Sequence, residues 1–197
     1  MKLELEGKHV FIAGASRGIG FGMARAFAAE GAKVALAARG EASLDEAPKA
    51  LIAEGIKPEN LFTVAGDMTA SAEIAAALDA AEAALGPLHC AVANVGLSRA
   101  PLGFDVSDED WDADMKQNLF GSVYLAREAA RRILKRPREK REHASLILIS
   151  SIAGVDALGT SLTYAASKAG INHLTRQLAK FTGKEGLRVN AIAPGNI

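Results

Sequence analysis

The sequence predicts an α/β protein built as a doubly wound parallel sheet, and three observations predict it. Short runs dense in apolar residues alternate with longer alanine-rich segments of helical period. Those runs are apolar at successive positions rather than at every second one, as strands covered on both faces are. Six of them recur along 197 residues, separated each time by enough chain for a crossover helix.

In order, the expected strands are 9–13, 34–38, 61–65, 88–93, 146–150 and 188–193. Helices are expected to begin near Gly18, Glu41, Ser71, Asp108 and Ser161, the first ending at Gly31, whose lack of a Cβ suits the residue after a helix. Pro137 stops the helix before it. It sits in the one dense charge run, KRPREKREH at 135–143. Two glutamates interrupt that run and no aromatic residue is interleaved, so it reads as a solvated loop rather than an anion-binding patch.

At 49% hydrophobic residues, the chain can bury a substantial core, and residues 1–197 are expected to form a single domain. Basic and acidic residues balance at 23 each, which removes any bulk electrostatic argument for a nucleic-acid partner. Cys90 is the sole cysteine and there are four histidines. No intramolecular disulfide can form, no metal cluster is spelled, and a reducing, cytoplasmic setting is expected. The first six residues carry Glu4 and Glu6 where a signal peptide would need a basic start and then a long apolar run. Every apolar stretch is cut by charge or glycine before about 18 residues, so no membrane partner is expected. Cys90, Trp111 and Met115 fall in strand or amphipathic patterns and read as core.

Immediately after the first expected strand stands Gly14-Ala15-Ser16-Arg17-Gly18-Ile19-Gly20, opening a helix. Glycine lets the backbone turn tightly and approach a pyrophosphate, while the helix start offers unpaired N–H groups and partial positive charge. A tight turn without ligand is the bland alternative; the strand-turn-helix setting favours a dinucleotide. A carboxylate ending the second strand would bind the ribose 2′-OH of NAD, whereas a basic group would favour the 2′-phosphate of NADP. Ala38 and Arg39 stand there, and Arg17 offers a second guanidinium. NADP(H) is therefore expected over NAD(H), with a solvated surface arginine as the alternative reading of Arg39.

Tyr164 and Lys168 lie four apart, hence on one helix face. A free phenol is a weak acid-base catalyst at neutral pH, because its pKa is about 10, and a neighbouring ammonium draws it toward the working range. Alone, such a pair is common on helix surfaces. Its company is not common: the glycine turn 14–20, Asp67 and Met68 after the third strand, Asn94 and Gly96 after the fourth, Asn118 in Gln117-Asn118-Leu119-Phe120-Gly121, Ser150-Ser151 after the fifth, and Pro194-Gly195 after the sixth.

On these residues the chain resembles the short-chain dehydrogenase/reductase family over nearly its whole length. The resemblance implies a Rossmann-type domain and an enzyme that interconverts a carbonyl of ketone or 3-oxoacyl type and a secondary alcohol with a nicotinamide cofactor. It implies Ser151, rather than Ser150, as the serine that polarises the carbonyl, and Tyr164 as the proton donor or acceptor. Lys168 is implied to bind the nicotinamide ribose, and Asn118 to hold a water linking Lys168 to solvent. Cofactor contacts are implied at Gly14, Ser16, Arg17, Gly18, Ile19, Gly20, Arg39, Asp67, Met68, Asn94, Gly96, Tyr164, Lys168, Pro194 and Gly195. For Asp67 the alternative is the N-cap of the next helix. Homodimers or homotetramers through the helices starting near Asp108 and Ser161 are implied too.

Three positions depart from the commonest family pattern: Ala13 for threonine, Ala93 for asparagine and Val95 for alanine. They remove polar side chains that would tie the first and fourth strands together. The chain also stops where family members usually continue through a substrate loop, a helix and a seventh strand. A chain that is part of a longer protein is expected rather than an impaired one. Leu97, Leu158 and Gly159 point to an apolar substrate pocket. A dinucleotide-binding regulatory or scaffold protein without turnover is the rival reading, and the presence of Asn118, Ser151, Tyr164 and Lys168 together argues against it.

Overall fold

A computed structural model of the chain describes residues 3–97 and 100–195. Strand β1 (His9–Ala13) leads into helix α1 (Gly18–Ala29). Then come β2 (Lys33–Ala38), α2 (Glu41–Ala53), β3 (Leu61–Ala65), α3 (Ser71–Leu85), β4 (Leu88–Ala93) and α4 (Asp108–Asp114). A π-helical stretch, Met115–Phe120, joins α4 to α5 (Gly121–Lys135), and β5 (Ser145–Ile149), α6 (Leu162–Thr182) and β6 (Arg188–Ile192) complete the described chain. The strands form one parallel sheet in the order β3-β2-β1-β4-β5-β6. This is a Rossmann-type fold. The expected strands differ from these by no more than one residue at either end.

Alternation along each strand builds two cores. Phe11, Ala91 and Leu146 face α3, α5 and α6, where Leu78, Leu125 and Ile171 meet them. Val10, Ile12, Val34 and Leu36 face α1 and α2, against Ala24, Ala28, Leu44 and Leu51. Alanine at the helix contacts brings those helices close to the sheet, and burial on both faces is what the uninterrupted apolar runs anticipated. Chain order reverses between β1 and β4, so the crossovers leave in opposite directions and a crevice opens at the carboxyl ends of these strands.

Gly31 follows α1 at φ +81°, the left-handed conformation that ends the helix as expected. The charge run 135–143 is largely exposed, as expected of a solvated loop, but Arg141 turns inward. Arg141 is only 10% exposed at its side chain and donates to the carbonyls of Leu134 at 2.8 Å, Arg136 at 2.7 Å and Glu185 at 2.7 Å. The carbonyls that end a helix lack intrahelical partners and carry partial negative charge, so a guanidinium there is drawn inward. Cys90 is buried, whereas Trp111 and Met115 are half-buried rather than core. No helix among the described residues is long and apolar enough to cross a membrane.

Candidate active site

Between the end of β1 and the start of α1, the chain turns with Gly14 at φ +75° and Gly18 at φ +56°, both in the region that glycine tolerates. Arg17 is the N-cap of α1 and makes no side-chain cap, so no side chain takes up the amides that open the helix. Gly20 explains the turn's third glycine. A Cβ there would lie 2.0 Å from the Gly14 carbonyl oxygen and 2.6 Å from Asn94 Nδ2. Asn94 Nδ2 donates to that same oxygen at 3.0 Å and so ties the end of β4 to the turn. The strand tie that Ala13 and Ala93 cannot supply is thus made by Asn94.

The turn forms one end of a cleft of about 970 Å³ along the carboxyl edge of the sheet. Arg17 and Arg39 line this end, together with Gly40 and Ser43, which the sequence reading had not singled out. Asp67 lies nearby and does not cap α3, whose N-cap is Ala70. Its Oδ1 accepts from the N–H of Thr69 at 3.0 Å and from its hydroxyl at 2.8 Å. Partial burial works to raise the Asp67 pKa, but the Thr69 hydrogen bonds and the Arg39 and Lys116 charges outweigh it and hold the carboxyl below its ordinary value.

At the other end lie Ser151, Tyr164 and Lys168, with Pro194 and Gly195. Ser161 N-caps α6, its Oγ accepting from the Tyr164 N–H at 3.4 Å, which sets Tyr164 in the first turn. Lys168 follows one turn on, with Nζ 5.5 Å from the centre of the Tyr164 ring. That amine donates to the Ile149 carbonyl at 2.9 Å, only 2% of the residue is exposed, and burial pushes its pKa down to about 8. The two serines separate by environment. Both border the cleft, but Ser150 is buried and its hydroxyl is spent on the Lys168 carbonyl at 3.0 Å, whereas Ser151 is half-buried and its hydroxyl proton is not so committed.

Of the expected site residues, Asn118 and Gly20 alone do not line the cleft. Asn118 is fully buried behind its wall: Oδ1 accepts from the Leu97 N–H at 2.8 Å, and Nδ2 donates to the carbonyls of Leu97 at 2.8 Å and Asp114 at 3.0 Å. The Asp114 carbonyl is the one a regular α-helix would give to the backbone N–H of residue 118, and the π-helical stretch occurs here. Gly96 is explained by the same packing, because a Cβ would come 2.9 Å from Lys168 Nζ and 3.0 Å from Asn118 Oδ1. The Ile149 carbonyl that holds Lys168 carried no signal in the sequence, since it is backbone.

A glycine turn at an uncapped helix start, set in the crevice where strand order reverses, with a tyrosine-lysine pair across the cleft, defines a dinucleotide-dependent enzyme of the Rossmann class. Comparison with known proteins agrees. The short chain dehydrogenase family profile matches residues 8–197. The chain is 32% identical over 195 residues to the 3-oxoacyl-acyl-carrier-protein reductase FabG of Escherichia coli, covering 99% of this chain and 75% of that protein. It is 33% identical over 192 residues to gluconate 5-dehydrogenase of Gluconobacter oxydans, covering 97% and 72%. The crystal structure of a putative short-chain alcohol dehydrogenase from Sinorhizobium meliloti superposes with a TM-score of 0.90 at 31% identity, covering 100% of this chain and 75% of that one. The chain belongs to the short-chain dehydrogenase/reductase family. Membership makes it an oxidoreductase of the carbonyl/alcohol type with a nicotinamide dinucleotide cofactor.

Proposed function

We propose that this protein, acting as a single dinucleotide-binding and catalytic domain, reduces a ketone to a secondary alcohol or runs the reverse reaction with NADP(H), with Tyr164 as the acid/base. The residues fit the cofactor: the amides at the start of α1 and the Gly14 to Gly20 turn suit a pyrophosphate, and Lys168 reaches the cleft to meet a ribose. Asp67, Met68, Asn94, Gly96, Pro194 and Gly195 complete the binding surface. When bound, the nicotinamide supplies or accepts the hydride.

In reduction, charge grows on the carbonyl oxygen. The Ser151 hydroxyl donates a hydrogen bond to that oxygen and Tyr164 delivers its proton there, both offered where the charge develops. Lys168, as a cation beside the ring, favours the phenolate left behind. The side-chain amide of Asn118 is committed to Leu97 and Asp114, so its role is to hold the wall on which Lys168 rests and, through the one remaining lone pair of Oδ1, a water leading from Lys168 to solvent. NADP(H) is preferred because Arg17 and Arg39 stand at the ribose end of the cleft and β2 ends on Ala38 without an acid.

The substrate reading is a ketone carrying an apolar group, of the 3-oxoacyl kind. Leu97 lines the cleft, and Leu102, Phe104, Val155, Leu158 and Leu162 are exposed on the segments that follow β4 and β5 and at the start of α6. Homodimers or homotetramers form through the α4–α5 and α6 helices, where Phe120 and Phe181 are exposed. The setting is cytoplasmic.

The observation that carries this reading is the placement of a buried Lys168 amine beside the Tyr164 ring, at the opposite end of one cleft from the glycine turn. Tyr164→Phe tests it. Turnover with a panel of ketones should fall by about 10²–10⁴-fold while dinucleotide binding survives. Undiminished turnover would overturn the assignment, and a wild-type protein that binds NADP(H) without turning over any ketone or alcohol would favour the silent scaffold.

A further inference from the structure

Among the described residues, Asp114 is the one acidic side chain that the fold buries, at 6% exposure. A carboxylate out of water is costly unless hydrogen-bonded, so what it holds is informative. Its Oδ2 accepts from the hydroxyl of Thr163 at 2.6 Å, and Thr163, itself fully buried, immediately precedes Tyr164. The Thr163 oxygen lies 3.3 Å from Ser161 Oγ, the N-cap of α6. On its other side, Asp114 gives its backbone carbonyl to Asn118 Nδ2 at 3.0 Å. One residue therefore touches the neighbour of Tyr164 with its side chain and Asn118 with its backbone.

The second turn of α6 is held separately. Ser150 Oγ donates to the Lys168 carbonyl, and Asn172 Nδ2 donates to the Gly154 carbonyl at 2.9 Å. Gly154 packs so close that a Cβ would meet the Lys168 backbone at 2.5 Å. The first turn of a helix lacks this security, since its amides have no intrahelical acceptors and its ends fray. Tyr164 stands in that turn, and the Ser161 cap on it is a long 3.4 Å.

We propose that Asp114, acting through Thr163, is a positioning residue that fixes the first turn of α6 and registers Tyr164 against Asn118. The proposal rests on the reading of Tyr164 as the acid/base. The clamp holds the phenol in its reacting position, and its loss lets the turn shift without altering the glycine turn, which supplies the pyrophosphate part of the dinucleotide site at the far end of the cleft.

Thr163→Val keeps the shape and removes the hydroxyl, whereas Thr163→Ser keeps the hydroxyl. In steady-state assays with NADP(H) and a ketone turned over by the wild type, Thr163→Val should lower kcat at least about tenfold with dinucleotide affinity held, as small misplacements of a reacting group do. Thr163→Ser should restore kcat to within about threefold. Asp114→Ala should lower kcat at least as much as Thr163→Val, and the double variant should be no worse than Asp114→Ala; a further loss in the double variant would overturn the clamp. So would a Thr163→Val variant with unchanged kcat, or one whose dinucleotide affinity falls in parallel with kcat.

The chain has two tyrosines, so a second readout needs no turnover. In tyrosine labelled with ¹³C at Cζ, with Tyr164→Phe assigning the signals, Thr163→Val should shift or broaden the Tyr164 signal and leave that of Tyr124, and Thr163→Ser should return it. An unchanged Tyr164 signal overturns the proposal, as does unfolding of Thr163→Val together with a Thr163→Ser signal unlike the wild type. Activity persisting in Tyr164→Phe would instead defeat the proposed function, and an inactive Tyr164→Phe beside a fully active Thr163→Val would defeat the clamp alone.

Discussion

Lys168 donates from Nζ to the carbonyl oxygen of Ile149 across 2.9 Å, joining the second turn of α6 to the end of β5 beneath the candidate site. The bond holds the amine in place but leaves it little water. Its pKa falls from the ordinary 10.5 to about 8 through burial.

A stability penalty follows from that burial. Because the folded-state pKa is the lower one, the folded protein releases this proton before the unfolded chain does. Stability should therefore rise with pH between about 8 and 10.5, and the cost of the buried cation is present in full below about 8. Lys168→Met should flatten that slope and raise the melting temperature at pH 7 while abolishing turnover. Thermal melts of the two proteins across this range, without cofactor, are the check; a lower melting temperature in the variant would contradict the account.

His89 supplies an acid-side counterpart. Its pKa is pushed down to about 4, by burial first and then by the Arg136, Lys8 and His9 charges, and its Nδ1 accepts from the His9 N–H at 3.1 Å. The unfolded chain takes up a proton near the ordinary 6.5, so stability is complete above that value and declines as pH falls toward 4. Urea midpoints at pH 7 and pH 5 should differ more for the wild type than for His89→Asn. Equal differences would show that His89 is not the group responsible.

Arg39→Asp should reverse cofactor choice. An acid at the end of β2 can accept from a ribose 2′-OH and repels a 2′-phosphate, so the NADP-to-NAD ratio of kcat/KM should fall by about tenfold or more. Titrating both cofactors against both proteins decides this, and equal wild-type affinity for the two would remove the basis for the preference.

Gly20 and Gly22 lie two residues apart in α1 and should respond oppositely to alanine. The Gly20→Ala methyl would meet the Gly14 carbonyl and Asn94, groups that cannot yield without distorting the turn, so a loss of about 1–3 kcal/mol and weakened dinucleotide binding are expected. Nothing lies within 4 Å of a Cβ at Gly22, and alanine there should add about 0.5–1 kcal/mol. Chemical denaturation measures both.

Much of the site was legible because its chemistry resides in side chains whose types and spacing carry meaning. Tyr164 and Lys168 one turn apart, glycines directly after a strand, and an arginine where an acid would bind a 2′-OH are each read without coordinates. What was not legible depends on contacts distant in sequence. Asn94 meeting the Gly14 carbonyl, Gly96 yielding space to Lys168 and Asn118, and Arg141 turned inward onto helix-end carbonyls leave no local pattern.

Local chemistry and hydrophobic periodicity determined the strands, most helix starts, the parallel sheet, the glycine turn and the Tyr164-Lys168 pair, and the resemblance carried by ordered motifs supplied the remaining residues proposed for cofactor and catalysis. Those signals act over a few residues, within one turn or one strand. Tertiary structure alone decided that the Ser150 hydroxyl is spent on the Lys168 carbonyl while Ser151 stays half-buried at the cleft, that Asn118 stands behind the wall rather than in it, and that Asp114 is buried against Thr163. Each outcome follows from which groups the folded chain desolvates together, and desolvation is a property of the packed molecule that no stretch of sequence holds by itself.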